Sequence, residues 1–386
     1  MKTYDWIVVG GGITGAALGY ELAKVGFSVL LLEKDVNPQN ATRYSYGGLA
    51  YWSGTTELTR QLCSEGIAKH RILSEELETD TEFRELDLIL TIDATEDPEK
   101  IASAYSHFAI PPKLLNTKEA CEVEPLLNPD SINGVLTVKH GHINPELTAQ
   151  GYTQAMIRLG GEIQIAEVLG FLQEKQRILG VKTANETYQS ANVVVCAGGV
   201  SRSLLKAAGI NIRLYFTHAE LIEIPPGDVE LKTLVMPAQL KRFQLEAEST
   251  KSEVEHLWEQ SETEIVSYIL DPGAIQFKNG RIIIGQISRT LSDRHAKIDR
   301  TTSETDLRTQ VGKILPKLAN LPGNWHHCLV AFSHNRLPVV GEIPNFTGIH
   351  VFSGFSNPLV FVPPLAKRFA KAQIEEDSII NQLKVS

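Results

Sequence analysis

The stretch Val9-Gly10-Gly11-Gly12-Ile13-Thr14-Gly15 decides how the rest of the chain is read. Residues 6–9 are a short apolar run, the pattern of a parallel strand buried on both faces. Residues 16–24 carry Leu18 and Leu22 at helical spacing, and Gly26 stands where such a helix ends. Residues 27–32 are a second apolar run, so strand, glycine turn, helix and strand make a βαβ unit of about 30 residues. In that context Gly10 permits the tight turn, Gly12 lets a pyrophosphate approach the backbone, and Gly15 lets the helix pack closely on the strand. Gly11, Ile13 and Thr14 complete the turn and open the helix, whose free N–H groups and positive end suit phosphates. Glu33 closes the second strand with Lys34 beside it. A carboxylate there accepts from both ribose hydroxyls and repels a 2′-phosphate, which disfavours NADP. The turn alone does not choose between NAD and FAD.

The chain has 386 residues, 42% of them hydrophobic and 22% charged. That length suggests two domains, and that composition an ordinary globular protein. The net charge of −9 argues against a nucleic-acid partner, which would need clustered Lys and Arg. Cys63, Cys121, Cys196 and Cys328 are scattered with no CxxC pair, which disfavours a zinc site or a disulfide framework and fits a reducing cytoplasm. No apolar run has the length of a membrane span, and the run at 7–15 lacks the basic leader of a secretory signal. The expectation is a cytoplasmic protein with a small-molecule substrate and no metal; the oligomeric state is left open.

Further along, Asn144-Pro145 caps a helix expected over 144–159. Other helices are expected over 56–77 (broken near Gly66), 117–123, 303–318 and 364–373. Strands are expected over 86–92, 163–172 paired with 177–182, 192–196, 214–224 and 350–352, with a hairpin turn at Asn279-Gly280 before 281–284. Residues 239–264 are polar and charged and read as an exposed helix with Leu245, Val254 and Leu257 inward. Buried parallel strands thus recur at 6–9, 192–196 and 350–352. The fold class is α/β, with a Rossmann-like nucleotide domain around a central parallel sheet, discontinuous over 1–80, 143–213 and 328–386. A second α+β domain with a mostly antiparallel sheet takes 81–142 and 214–327.

Several later segments follow the fingerprint in one order. They are Ala41-Thr42-Arg43-Tyr44-Ser45-Tyr46-Gly47-Gly48, Gly141-His142-Ile143-Asn144-Pro145, Val193-Val194-Val195-Cys196-Ala197-Gly198-Gly199 and Gly280-Arg281-Ile282-Ile283-Ile284-Gly285. Leu337-Pro338-Val339-Val340-Gly341 and Ser353-Gly354-Phe355-Ser356-Asn357 complete them. Together they resemble the D-amino-acid oxidase superfamily of FAD enzymes, in particular its glycine oxidase and monomeric sarcosine oxidase branch. The resemblance spans nearly the whole chain. It implies FAD bound in an extended form, with Ala41, Thr42 and Arg43 near the pyrophosphate, Gly47, Gly48 and Leu49 near the isoalloxazine, and the Val168 backbone at the adenine. It also implies that Ala197 and Gly198 pass close to the cofactor and that Gly354, Phe355, Ser356 and Asn357 line the flavin pyrimidine end. The implied reaction is oxidation of the carbon–nitrogen bond of a small amine or amino acid by hydride transfer to the flavin. Alternatives are a flavin dehydrogenase that passes electrons to a quinone or protein, a hydroxy-acid oxidoreductase, and a flavoprotein without turnover.

Departures from the family's pattern fall on the substrate side. Where the resemblance implies a carboxylate-binding Arg, this chain has Val330, and Arg336 stands two residues before Pro338. The loop at 355–359 has no cation, and Ala274 and Gln276 occupy the place of a family tyrosine, with Tyr268 nearby but read as off the strand. Cys328 matches the position that sarcosine oxidases link covalently to flavin; an inert buried thiol is the other reading. His326, His327 and His334 cluster without a fourth metal ligand. Arg336 and His334 are the candidate catalytic residues, with His218 a further ring that could face the flavin, and Tyr46, Tyr51 and Trp52 are candidate aromatic walls.

Overall fold

The computed structural model describes residues 2–384. Its first sheet has the order Val339–Glu342, Ile349–Ser353, Thr187–Val195, Thr3–Val9, Val29–Glu33, Glu162–Ile165. From Ile349–Ser353 to Glu162–Ile165 every neighbouring pair in this order is parallel, while Val339–Glu342 runs antiparallel at the edge and Arg177–Lys182 pairs antiparallel with the first residues of Thr187–Val195. The period of two explains why these strands are apolar throughout. Trp6, Val8, Val29 and Leu31 point to one face, where the helices Ile13–Lys24, Pro145–Arg158 and Pro358–Ala372 pack. Ile7, Val9, Leu30 and Leu32 point to the other, against Phe171, Ile178 and Leu214. A strand covered on both faces has no polar side to show.

The second sheet has the order Asn324–Ser333, Leu214–Ile224, Ile282–Leu291, Glu264–Gln276, Leu234–Pro237, Arg84–Asp93, Ile132–His142, Gly48–Leu49. It is antiparallel except where Leu234–Pro237 runs parallel to Arg84–Asp93. Helix Arg300–Ile314 covers its outer face through Leu307 and Val311. The sheets cross the expected division at two places. Gly48–Leu49, inside the expected nucleotide segment 1–80, pairs with Ile132–His142 of the second sheet. The cut at 327/328 falls inside Asn324–Ser333, whose register with Leu214–Ile224 is unbroken from Asn324 to Ser333. Among the described residues no helix is long and apolar enough to cross a membrane.

Five expected elements change form. The helix at 303–318 is Arg300–Ile314 followed by a separate 3-10 turn at Pro316–Leu318. The helix at 56–77 is continuous over Glu57–Glu76, started by a Thr56–Thr59 capping box. Gly66 does not break it: a Cβ there would lie 2.2 Å from the Val360 carbonyl oxygen, so the glycine lets the helix Pro358–Ala372 cross close by. The strand at 163–172 is two strands, Glu162–Ile165 in the parallel sheet and Gly170–Glu174 paired with Arg177–Lys182. The segment 239–264 is a short helix, Lys241–Glu248, followed by a 3-10 turn at Glu255–Glu259. Its polar face is not free, since Glu246 is buried and the Trp258 indole is buried with its N–H donating to the Ser249 carbonyl. The closing helix begins at Pro358, with Pro363 and Pro364 inside it. Tyr268 lies on the strand Glu264–Gln276, in a stretch of shifted register, with its ring exposed under the Arg289 guanidinium.

The first βα turn is the tightest point in the fold. Gly10 has φ +103°, and a Cβ on it would lie 2.8 Å from the Cys196 carbonyl oxygen. A Cβ on Gly15 would lie 1.8 Å from the Gly10 carbonyl oxygen. Helix propensity alone would make Gly15→Ala stabilising by about 1 kcal/mol. The clash reverses that sign, and we expect a net loss of about 3 kcal/mol or more. Denaturant unfolding of the cofactor-free protein checks it, and a gain in stability would show that the turn relaxes.

Candidate active site

The turn that follows Thr3–Val9 presents backbone rather than side chains. The Gly10 N–H donates to the Leu32 carbonyl (2.8 Å), joining the two strands. The Gly11 N–H donates to Glu33 Oε2 at 2.7 Å, and the Asp35 N–H to Glu33 Oε1 at 3.1 Å. Glu33 is therefore held at the strand end by two backbone donors while its remaining lone pairs stay free for hydroxyls. Helix Ile13–Lys24 starts at Gly12 with no side-chain cap and no acid in its first turn. Thr42 Oγ1 accepts from the Ile13 N–H at 3.0 Å and lies against Gly12, which ties the 41–48 loop to the helix N-terminus. With the Ile13 N–H engaged by Thr42 and no side-chain cap from the N-cap residue Gly12 itself, this helix end with a glycine at its mouth is a cradle for an anion.

That cradle opens into one cleft of about 1600 Å³ between the two sheets. Ordinary ligand pockets run to about 1000 Å³, so this one has room for a dinucleotide and a substrate together. Its walls include Gly10, Gly12, Ile13, Thr14, Glu33, Lys34, Ala41, Thr42, Gly48, Val168, Ala197, Gly198 and Gly354 to Asn357. The remaining expected residues sit behind the wall. Gly11 and Gly15 shape the turn, and Gly47 and Leu49 pack beneath Gly48. The Arg43 guanidinium is turned away from the cleft. It makes a two-point pair with Glu223 (2.8 and 3.1 Å) and lies 3.2 Å from Glu146, so it clamps the loop to the second sheet.

The inner face of the second sheet forms the cleft floor. Antiparallel register puts His140 opposite Leu86, and hence on the face of Leu88 and Leu90. Leu234 and Met236 lie directly beside Leu88 and Leu90. Ala219 and Leu221 follow further across, and Cys328 stands opposite Ala219. His140 is buried. The Trp52 indole N–H donates to its Nδ1 at 3.0 Å, which assigns the proton to Nε2. Burial holds this imidazole neutral, with its pKa lowered to about 3. A Cβ on Gly48 would lie 2.7 Å from Nε2, so the glycine is what lets the ring approach the loop. Burial pushes the Cys328 thiol up to about 12 and keeps it protonated.

Arg336 reaches the cleft wall from a residue with φ +62°. It donates to the Phe243 carbonyl (3.2 Å) and its guanidinium lies 4.9 Å from the Phe243 ring centre. Arg242 approaches the same ring at 5.1 Å and stands 3.3 Å from Glu246. Burial raises the Glu246 carboxyl, against the pull of Arg242 and Arg336. The Arg336 carbonyl accepts from Ser356 Oγ (2.8 Å), and Asn357 donates to the Ala50 carbonyl (3.3 Å), so the 354–357 loop is tied to both walls. His334 is exposed at the turn before Arg336 and is not part of the lining. His218 and His327 form a stacked pair, 2.8 Å between ring nitrogens, with the His218 Nε2–H donating to the Asp293 carbonyl away from the lining. His326 stacks on Tyr44 at 4.5 Å. Among the described residues no three His, Cys, Asp or Glu gather as a metal cage. Tyr46 and Trp52 line the cleft, and Tyr51 does not.

The sequence reading missed His140, Tyr105, Phe108, Arg242 and Asp271. His140 alone had a local signal: it shares the inward alternation of Leu136 and Val138 on an otherwise apolar strand. The others meet the cleft only through tertiary packing.

Comparison with known proteins agrees with this geometry. The family model described as FAD dependent oxidoreductase (DAO) matches residues 5–372, and the chain belongs to that family. The chain is similar to the uncharacterized oxidoreductase YurR of Bacillus subtilis, 25% identical with 96% of this chain and 94% of that protein covered. It is similar to a glycine oxidase of Pseudomonas aeruginosa, 24% identical with 97% and 96% covered. Its fold matches the crystal structure of glycine oxidase from Geobacillus kaustophilus, with a TM-score of 0.79, 20% identity, and 98% and 96% covered. The protein is an FAD-dependent oxidoreductase, and the cradle at Gly10 to Thr14 with the carboxylate at Glu33 fits that cofactor.

Two substitutions separate the roles of the charged residues around the cradle. Glu33→Gln keeps the shape and removes the charge, and we expect FAD affinity to fall about tenfold. Arg43→Met removes a guanidinium engaged elsewhere, and we expect a loss of stability with FAD affinity changed less than about threefold. Reconstitution of the apoprotein with FAD, followed by flavin fluorescence, distinguishes the two.

Proposed function

We propose that this protein oxidises the carbon–nitrogen bond of a small amine or amino acid. The observation that carries the reading is one continuous cleft, with the nucleotide cradle at one end and an apolar floor without a free base at the other. FAD, when bound, supplies the hydride acceptor. Of the acid–base groups on the floor, His140 is neutral and offers only an N–H, Cys328 stays a thiol, and Asp271 is engaged by the Lys241 and Arg242 backbone N–H groups at 3.0 Å. Such a floor suits a neutral amine, whose own lone pair assists loss of hydride from the adjacent carbon. The walls exclude water and hold that carbon in place.

In this reading Gly10, Gly12 to Thr14 and Thr42 hold the pyrophosphate, Glu33 and Lys34 the ribose end, and Val168 the adenine. Gly48, Ala197, Gly198 and Gly354 to Asn357 flank the flavin ring. Arg336, with Arg242 beside it over the Phe243 ring, faces a substrate carboxylate, because Arg336 is in the cleft lining and its guanidinium has no carboxylate within ion-pair distance among the described residues. Cys328 is a buried thiol on the cleft lining, and burial pushes its pKa up, which supports noncovalent flavin. Four free thiols support a working place in the reducing cytoplasm.

Anaerobic mixing with amines and with the matching hydroxy acids tests the reading: amines are expected to bleach the bound flavin, and bleaching by hydroxy acids alone overturns it. The pH profile gives a second test. Protonation removes the amine lone pair, so kcat/KM should fall as pH drops below the substrate's own pKa. Burial puts the His140 pKa at about 3, below its ordinary value, so the ring carries no charge anywhere in that range. The inflection should therefore move when the amine is changed, and one that stays fixed would point to a protein group. Arg336→Met is expected to raise KM about tenfold for an amino acid relative to its decarboxylated amine, with kcat changed little.

A further inference from the structure

We propose that the cleft selects amines bearing a large apolar, aryl group, and that Trp52, Tyr105 and Phe108 form the pocket that receives it. The inference rests on the carbon–nitrogen oxidation reading for the amine, and on the three rings for the aryl group.

All three rings line the cleft and touch one another. Trp52 and Phe108 meet edge to face with centroids 5.3 Å apart, Tyr105 and Phe108 lie 5.1 Å apart, and Trp52 and Tyr105 6.2 Å apart. Their backbone is pinned. The Ala109 N–H donates to the Gly54 carbonyl at 2.9 Å and the Ile110 N–H to the Trp52 carbonyl at 3.2 Å, which holds the 105–110 turn against the 52–54 loop.

Their polar atoms are already used. The Trp52 N–H is given to His140, and the Tyr105 hydroxyl donates to the Ala238 carbonyl. What remains for a ligand is ring surface. Trp52 is buried, whereas Tyr105 and Phe108 are only half-buried, so two large rings keep accessible faces. Leu88, Leu90, Leu234 and Met236 continue the apolar surface along the floor. One polar handle of this corner is the Nε2–H of His140, which Trp52 itself orients, and the exposed His107 ring, stacked on Phe108 at 4.6 Å, is another.

A glycine-sized substrate would leave this surface wet. An indole or phenyl group would desolvate it, with edge and face contacts to preordered rings and little entropy lost by the protein. The neighbourhood of Gly48 and His140 places the corner beside the loop assigned to the flavin ring, so an aryl group seated there leaves the attached amine carbon towards the ring.

The test uses the purified FAD-loaded protein and ligands that lack an amine. Indole-3-acetate and acetate are titrated while the flavin absorbance is followed. Indole-3-acetate is expected to perturb the spectrum at a concentration about tenfold lower than acetate or less. Phe108→Ala, on an exposed turn, is expected to reduce that ratio at least about threefold with flavin still bound, and Tyr105→Phe, which keeps the ring, to leave it unchanged. Equal perturbation by both ligands, no perturbation by either, or an unaltered ratio in Phe108→Ala overturns the proposal. Anaerobic bleaching separates it from the reading beneath it. Bleaching by glycine or sarcosine and not by aryl-bearing amines overturns the aryl pocket and leaves carbon–nitrogen oxidation standing. Bleaching by aryl-bearing hydroxy acids alone supports the pocket and removes the carbon–nitrogen reading.

Discussion

The contact of Gly15 with the Gly10 carbonyl is the constraint on which the rest of the molecule depends. Only with no atom at the Gly15 Cβ position can helix Ile13–Lys24 start this close to the strand Thr3–Val9. That closeness puts the helix N-terminus, the Glu33 carboxylate and the Cys196 carbonyl within one turn of each other. A helix end that had to stand further off would aim its N–H groups at solvent instead of at a common point. The apolar strands on either side are buried on both faces, so the turn sits on a rigid base.

The second sheet contributes a different kind of order. Its strands are antiparallel and two-faced, one face under helix Arg300–Ile314 and the other forming the cleft floor. Ion pairs and loop ties lock the two sheets together. Arg43 on the 41–48 loop pairs with Glu223, which also holds Arg281, and the 354–357 loop bonds to Ala50 and to Arg336. These half-buried pairs serve position more than stability, since exposed or partly exposed ion pairs contribute about 1 kcal/mol or less. Around the floor, burial suppresses charge: His140 stays neutral and Cys328 stays protonated. The cleft is therefore an apolar chamber with charged groups, Arg242, Arg336 and Glu246, gathered at one wall.

Much of the nucleotide side was legible because each of its features is local. A turn with positive φ needs glycine, a doubly buried strand needs an unbroken apolar run, and a ribose-binding acid must stand at the next strand's end. Local reading failed where a neighbour from elsewhere decided the outcome. Gly66 looks like a helix break until Val360 is seen to press on it. The segment 239–264 looks solvated until Trp258 and Glu246 are found buried. Arg43 stands in the expected loop, yet its guanidinium belongs to Glu223 and Glu146.

The sequence by itself determined the βαβ cradle and the α/β class, because those rest on spacing along the chain, and its resemblance to a known family implied the cofactor. Which side chains meet across the cleft was decided only by the tertiary structure. Tyr105 and Phe108 join Trp52 through a turn pinned to the 52–54 loop, and Arg242 joins Arg336 over Phe243 from a helix that Asp271 caps. The physical reason is range. Backbone conformation and burial periodicity are set by near neighbours, whereas a binding surface is assembled from residues far apart in sequence, whose contacts exist only once two sheets have packed.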